Sequence, residues 1–123
     1  MVLFFDKIKL KQQVVVVKKK NGVLTGVSEK DVRLLYKNPK KFWKNVTSIG
    51  EGAFDSLENL EKLHIPGTFK KIVTSAVSYN SNLKEVTIDE GVKTIEPEAF
   101  DCNYSVEKIK IPGSLEKISE KSV

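Results

Sequence analysis

The chain has 123 residues, 40% hydrophobic and 30% charged, enough for one soluble domain with one core and too short for two ordinary domains. No apolar run approaches the ~18 residues of a membrane span, and a single cysteine, Cys102, excludes an internal disulfide or a cysteine-based zinc cluster. The net charge of +5 is divided unevenly, since residues 1–45 carry 12 Lys/Arg against 3 Asp/Glu and residues 46–123 carry 9 against 13.

Such asymmetry marks two regions with different roles. The basic half reads either as an arm for nucleic acid or an acidic partner, or as a lysine-rich solvated cap beside an acidic repeat surface. The N-terminus puts apolar residues before charges, the reverse of a signal peptide.

Residues 1–45 contain a strand, a hairpin and a short helix. Lys7-Ile-Lys-Leu-Lys11 alternates like a half-exposed strand. Val14–Lys20, Asn21-Gly22 and Val23–Thr25 predict a β-hairpin closed by a tight Asn-Gly turn. Ser28-Glu-Lys-Asp31 predicts a helix start of the capping-box kind. The helix runs through Val32, Leu34 and Leu35 to about Lys37, where Pro39 ends it. Phe42 and Trp43 fall at the junction with residues 46–123.

From residue 46 the sequence repeats. Ile49, Ile72, Ile95 and Ile118 are spaced 23 apart, and in that register the other apolar positions form columns. One holds Val46, Phe69, Val92 and Leu115; another holds Ala53, Ala76, Ala99 and Ser122, followed by Phe54, Val77, Phe100 and Val123. Then come Leu60, Leu83 and Val106; Leu63, Val86 and Ile109; and Ile65, Ile88 and Ile111. Pro66-Gly67, Asp89-Glu90-Gly91 and Pro112-Gly113 recur as turns. The last two apolar residues of Leu-x-x-Leu-x-Ile stand at period 2, which predicts a short strand with one buried face. The Ile-x-x-x-Ala-Phe stretch predicts a short helical or irregular turn. One coil cannot bury enough to fold alone, so the coils must stack, their strands forming a parallel sheet. The alanine column is small because adjacent coils approach closely there. Residues 1–45 cap the first coil. The chain stops at Val123, five residues into a fourth coil, which suggests an array fragment or a homo-oligomer formed through the uncapped C-terminal coil.

The stretches Ile49-Gly-Glu-Gly-Ala-Phe54 and Leu83-Lys-Glu-Val-Thr-Ile-Asp-Glu-Gly-Val-Lys-Thr-Ile-Glu-Pro-Glu-Ala-Phe100 closely resemble BspA-like leucine-rich repeats, over about residues 46–123. The resemblance implies a right-handed leucine-rich-repeat solenoid with a short parallel β-sheet, preceded here by a small mixed β/α N-terminal cap. It implies a protein–protein interaction or adhesion module, often on bacterial or protist surfaces, without catalysis or cofactor. Location therefore stays open between cell surface or secretion and, with no signal peptide evident, the cytoplasm. In that family an inward Cys or Asn sits three residues after the Phe; here the positions hold Leu57, Asn80 and Asn103. The asparagines would form a ladder satisfying backbone groups where the coil bends. Cys102 is one residue off that column. Leu57 departs from the pattern, so the first coil borders something other than a regular repeat.

The favoured binding surface is the solvent side of the strands. It holds Glu61, Lys62 and His64 from the first coil, Lys84, Glu85 and Thr87 from the second, and Glu107, Lys108 and Lys110 from the third. His64, the only histidine, reads as a surface residue, and no second histidine exists for a metal site. Gly50-Glu-Gly52 lacks the flanking strand and Lys-Ser/Thr of a phosphate loop. The alternative contact is basic: Lys18, Lys19 and Lys20 at the hairpin tip, with Lys37, Lys40, Lys41 and Lys44 near Tyr36, Phe42 and Trp43. Basic residues interleaved with aromatics can hold phosphates and stack on bases. On that reading the chain is a small intracellular nucleic-acid-associated or inhibitory protein.

Overall fold

The computed structural model describes residues 17–119. The strand expected at Lys7–Lys11, the first residues of the hairpin and the column members Ser122 and Val123 lie outside them. Strands β1 (Lys18–Lys20) and β2 (Val23–Gly26) pair antiparallel. Asn21 and Gly22 turn the chain with φ of 51° and 82°, the two left-handed residues of the turn whose twist matches a hairpin. The Gly22 carbonyl accepts from Thr47, so the hairpin docks on the start of the repeats. There β2 pairs parallel with β3 (Ser48–Ile49).

Helix α1 (Glu29–Lys37) begins as expected. The Ser28 amide donates to Asp31 Oδ2 at 2.7 Å, and Ser28 Oγ accepts from the Asp31 amide at 3.3 Å. Val32 and Leu35 face the core. Pro39 disfavours a helical Asn38, whose φ and ψ are −146° and 77°. The sequence pattern ends the helix there, but the chain restarts at once as a single turn, α2 (Pro39–Phe42). Proline suits the first helical position, and Asn38 Oδ1 accepts from the Lys41 amide at 3.2 Å.

The repeat follows as β4 (Phe54–Asp55), β5 (Lys62–Ile65), β6 (Lys71–Ile72), β7 (Val77–Ser78), β8 (Glu85–Ile88), β9 (Thr94–Ile95) and β10 (Lys108–Lys110). All ladders among them are parallel and offset by one repeat: Lys62 pairs with Glu85 and Glu85 with Lys108, Lys71 with Thr94, and Phe54 with Val77. A bridge from Thr94 to Lys117 continues the series. The 23-residue sequence period is therefore the stacking period.

Among the described residues the Ile-x-x-x-Ala-Phe stretches hold no helix, so of the two expected forms they take the irregular one. They are bracketed by β3 and β4 in one coil and by β6 and β7 in the next. The reason lies in two columns of left-handed residues. Gly52, Ser75 and Glu98 have φ of 73°, 57° and 63°; Ser56, Tyr79 and Cys102 have 57°, 56° and 62°. A left-handed residue cannot propagate a right-handed helix.

The columns fill the core. Ile49, Ile72 and Ile95 are buried, as are Ala53, Ala76 and Ala99. At the alanine column the coils touch through backbone, Phe54 donating to the Ala76 carbonyl and Val77 to that of Ala99. Ile111 and Ile118 break the pattern at 45% and 43% exposure, since no described coil lies over them. A second close approach joins Gly67 and Gly91. A Cβ on Gly91 would stand 2.2 Å from the Gly67 carbonyl oxygen, and Gly91 has φ of 119°, so neither site tolerates a side chain.

Asn80 and Asn103 form the expected ladder. Asn80 is fully buried. Its Oδ1 accepts from the Leu57 amide at 2.9 Å and its Nδ2 donates to the Phe54 carbonyl at 3.0 Å. The Asn80 amide then donates to Asn103 Oδ1 at 2.9 Å, and Asn103 Nδ2 donates to the Val77 carbonyl at 2.8 Å. Carbonyls and amides freed at each bend are thereby paired one coil back.

Candidate functional site

Alternation along β5 and β8 turns Leu63, Ile65, Val86 and Ile88 inward and their neighbours outward. Because the ladders are in register, the outward side chains form rows across the coils. Lys62, Glu85 and Lys108 make one; His64, Thr87 and Lys110 make the next. Glu61, Lys84 and Glu107, all exposed, precede them at the same spacing. The structure thus brings the nine strand-face residues together.

Two polar pairs cross between coils on this face. Lys62 Nζ lies 3.6 Å from Glu85 Oε2, and His64 Nε2 lies 2.7 Å from Asp89 Oδ1. Both pairs are solvent-facing and worth little to stability, but they fix side chains across the coil boundary. In the sequence Asp89 stands out only as a turn residue. It reaches His64 because the strand ends one residue earlier, a geometry no column predicts.

The first coil meets the N-terminal elements through single side chains. The Tyr36 hydroxyl accepts from the Glu61 amide at 2.8 Å and the Lys62 amide at 3.1 Å. The Glu29 carboxylate accepts from Glu58 and Asn59 at 3.2 and 3.3 Å. In the next coil the corresponding amides, Lys84 and Glu85, bond the Glu61 carbonyl. Leu57, the departure from the asparagine column, packs in the core here.

Between these elements and the strand face lies a hollow of about 500 Å³. Leu35, Tyr36, Pro39, Lys40 and Trp43 line one side, and Lys62, Leu63, His64, Pro66, Glu85, Thr87 and Asp89 the other. Trp43 is held by Phe42 at 4.9 Å edge-on and by Phe54 and Phe69 at 6.0 Å. The sequence located the aromatic junction but carried no sign of a cavity, which arises from two segments distant in the chain, Leu35 to Trp43 and Lys62 to Asp89.

The basic residues divide. Lys40 enters the hollow, with Lys37 and Lys41 nearby in sequence on α1 and α2. Lys18, Lys19 and Lys20 are exposed on β1, away from it, and Lys19 Nζ donates to the Lys44 carbonyl. On the left-handed column, Cys102 lies beside Tyr79 and Tyr104. Hydrogen bonding to Cys102, and then its charge, raise both phenols above the ordinary value of 10.0. Among the described residues no group of three or more His, Cys, Asp and Glu could hold a metal ion. No helix among them is long and apolar enough to cross a membrane.

Residues 38–123 match the family model for a BspA type leucine-rich repeat region of six copies. No curated protein matches the chain significantly. Nor does any solved structure. Leucine-rich repeats of this kind generally serve protein–protein interaction rather than catalysis. With the match covering over two-thirds of its length and the parallel ladders at the same period, the chain belongs to the BspA-type leucine-rich-repeat family.

Proposed function

We propose that the chain is a non-catalytic protein-interaction module that binds a macromolecular partner through the strand face of a right-handed solenoid. Residues 46–123 supply the repeats, and residues 1–45 act as the cap that closes their first coil. One observation carries this reading: outward polar side chains stand in register across three coils and run into an apolar hollow. Rigid parallel strands present such rows at fixed spacing, so a partner meets little ordering cost on the module's side. Lys62, His64, Thr87 and Lys110 are the central contacts, with Glu61, Lys84, Glu85, Glu107 and Lys108 around them.

The test is affinity capture from the source cell's lysate with the full chain as bait, with and without nuclease. The comparison bait carries Thr87→Arg and Lys110→Glu together. A protein retained after nuclease and lost with the double variant supports the face. Retention by both baits refutes it. Loss on nuclease also refutes it and moves the contact to the lysines of residues 1–45. Binding through about six phosphates would then weaken roughly a thousandfold between about 50 and 200 mM salt.

A further inference from the structure

In a parallel ladder successive residues turn their main-chain groups alternately to one neighbour and the other. The Glu61 and Ile65 carbonyls face the second coil, accepting from Lys84 and Glu85 and from Asp89 respectively. Lys62 and His64 therefore direct their N–H and C=O groups the opposite way, toward α1 and α2. The Lys62 amide is satisfied there by the Tyr36 hydroxyl. The main chain of His64 meets no partner on that side among the described residues, because β5 is the outer strand of its sheet. An outer strand with free backbone groups is a template for another strand.

The hollow borders this edge, and its floor is apolar: Leu35, Pro39, Trp43, Leu63 and Pro66. Its volume suits a few residues of an extended chain. Glu85 is paired with Lys62 and Asp89 with His64, whereas Lys40 has no acidic partner among the described residues. A polyphosphate could offer no donor to the His64 carbonyl, which has no partner among the described residues. A polypeptide supplies donor and acceptor at strand spacing.

We propose that the hollow receives an extended acidic protein segment, which pairs its backbone with β5 at His64, inserts one large apolar side chain beside Trp43 and sets a carboxylate against Lys40. This rests on the protein-interaction reading of the strand face and names the chemistry of its partner.

Trp43 is the only tryptophan, so its fluorescence reports on the hollow directly. The probe is acetyl-Asp-Thr-Phe-Thr-Asp-amide, titrated into the full chain. A saturable change is expected, weakened at least about tenfold when the peptide's Phe is Ala, and about fivefold in Lys40→Glu. N-methylation of the peptide's central amides removes the pairing groups while keeping the side chains, and is expected to abolish saturation. Amide exchange at His64 slows in the complex. An N-methylated peptide that binds like its parent overturns the proposal, as does unchanged His64 exchange at saturation or the absence of any saturable signal. If the peptide is silent while capture still depends on Thr87 and Lys110, this inference fails and the broader reading stands. If capture is also indifferent to the face, both fail.

Discussion

The amides that open the strands of the second and third coils, at Glu85 and Lys108, bond carbonyls one coil back, at Glu61 and Lys84. Those opening the first coil, at Glu61 and Lys62, bond the phenol of Tyr36 instead. The need is the same and the solutions differ. Inside the stack, each coil is satisfied by a copy of itself, so one rule serves every repeat. At its first coil, individual side chains from α1 stand in for backbone, and each is a separate solution. The stack should therefore fail cooperatively when a repeated position is altered, whereas the N-terminal contacts should fail locally.

The largest expected effect tests the repeated side. Asn80→Ala removes three side-chain bonds at a site with no solvent, leaving the Leu57 amide without a partner and taking one donor each from the Phe54 carbonyl and Asn103 Oδ1. A buried amide orphaned in this way costs about 1–3 kcal/mol, so a loss of ~2 kcal/mol is expected in urea unfolding. A shift under ~1 kcal/mol would mean that the ladder is decoration.

Ala76→Leu comes next. Ala76 is fully buried where two coils meet through backbone bonds, and added methylenes there would push the coils apart. Overpacking of this kind costs about 1–3 kcal/mol. A thermal melt that shows no loss would contradict close stacking at the alanine column.

Tyr36→Phe is the matching test of the N-terminal side. It deletes only the hydroxyl, and the amides it releases belong to Glu61 and Lys62, both exposed. Water can replace the phenol, so the loss should stay near ~1 kcal/mol. The clearer readout is local: amide exchange at Glu61 and Lys62 accelerates while that of Val86 and Ile88 holds. Acceleration throughout the stack would show that Tyr36 acts globally, and the difference between the first coil and its successors would collapse.

The same contrast explains what the sequence could tell. Periodic burial needs no knowledge of partners, so the columns of Ile49, Ala53 and Leu63 were readable, and so was the Asn80–Asn103 ladder through its family likeness. The Asn21-Gly22 turn and the Ser28–Asp31 capping box were readable because both are local chemistry. What escaped was contact between distant, unrepeated segments: Tyr36 on the Lys62 amide, Asp89 on His64, and the hollow around Trp43. The left-handed columns escaped for another reason. Ser75, Tyr79, Glu98 and Cys102 are not residues that advertise positive φ, and they adopt it because their coil neighbours impose it.

Those columns supply the smallest prediction, and it runs toward stability. Glu98 is exposed and has φ of 63°, and its part in the stack is played by its carbonyl, which accepts from Ser75 and Asp101. Glycine would keep that carbonyl and shed the roughly 1–2 kcal/mol that a side chain costs in this conformation. It would lose about 0.5–1 kcal/mol through greater freedom in the unfolded chain. The balance favours Glu98→Gly by ~0.5–1 kcal/mol, and the equivalent position of the preceding repeats supports the direction, since Gly52 already occupies it with φ of 73°. A lower urea midpoint in this variant would mean that the coil does not impose the left-handed geometry, and that the glutamate side chain holds it.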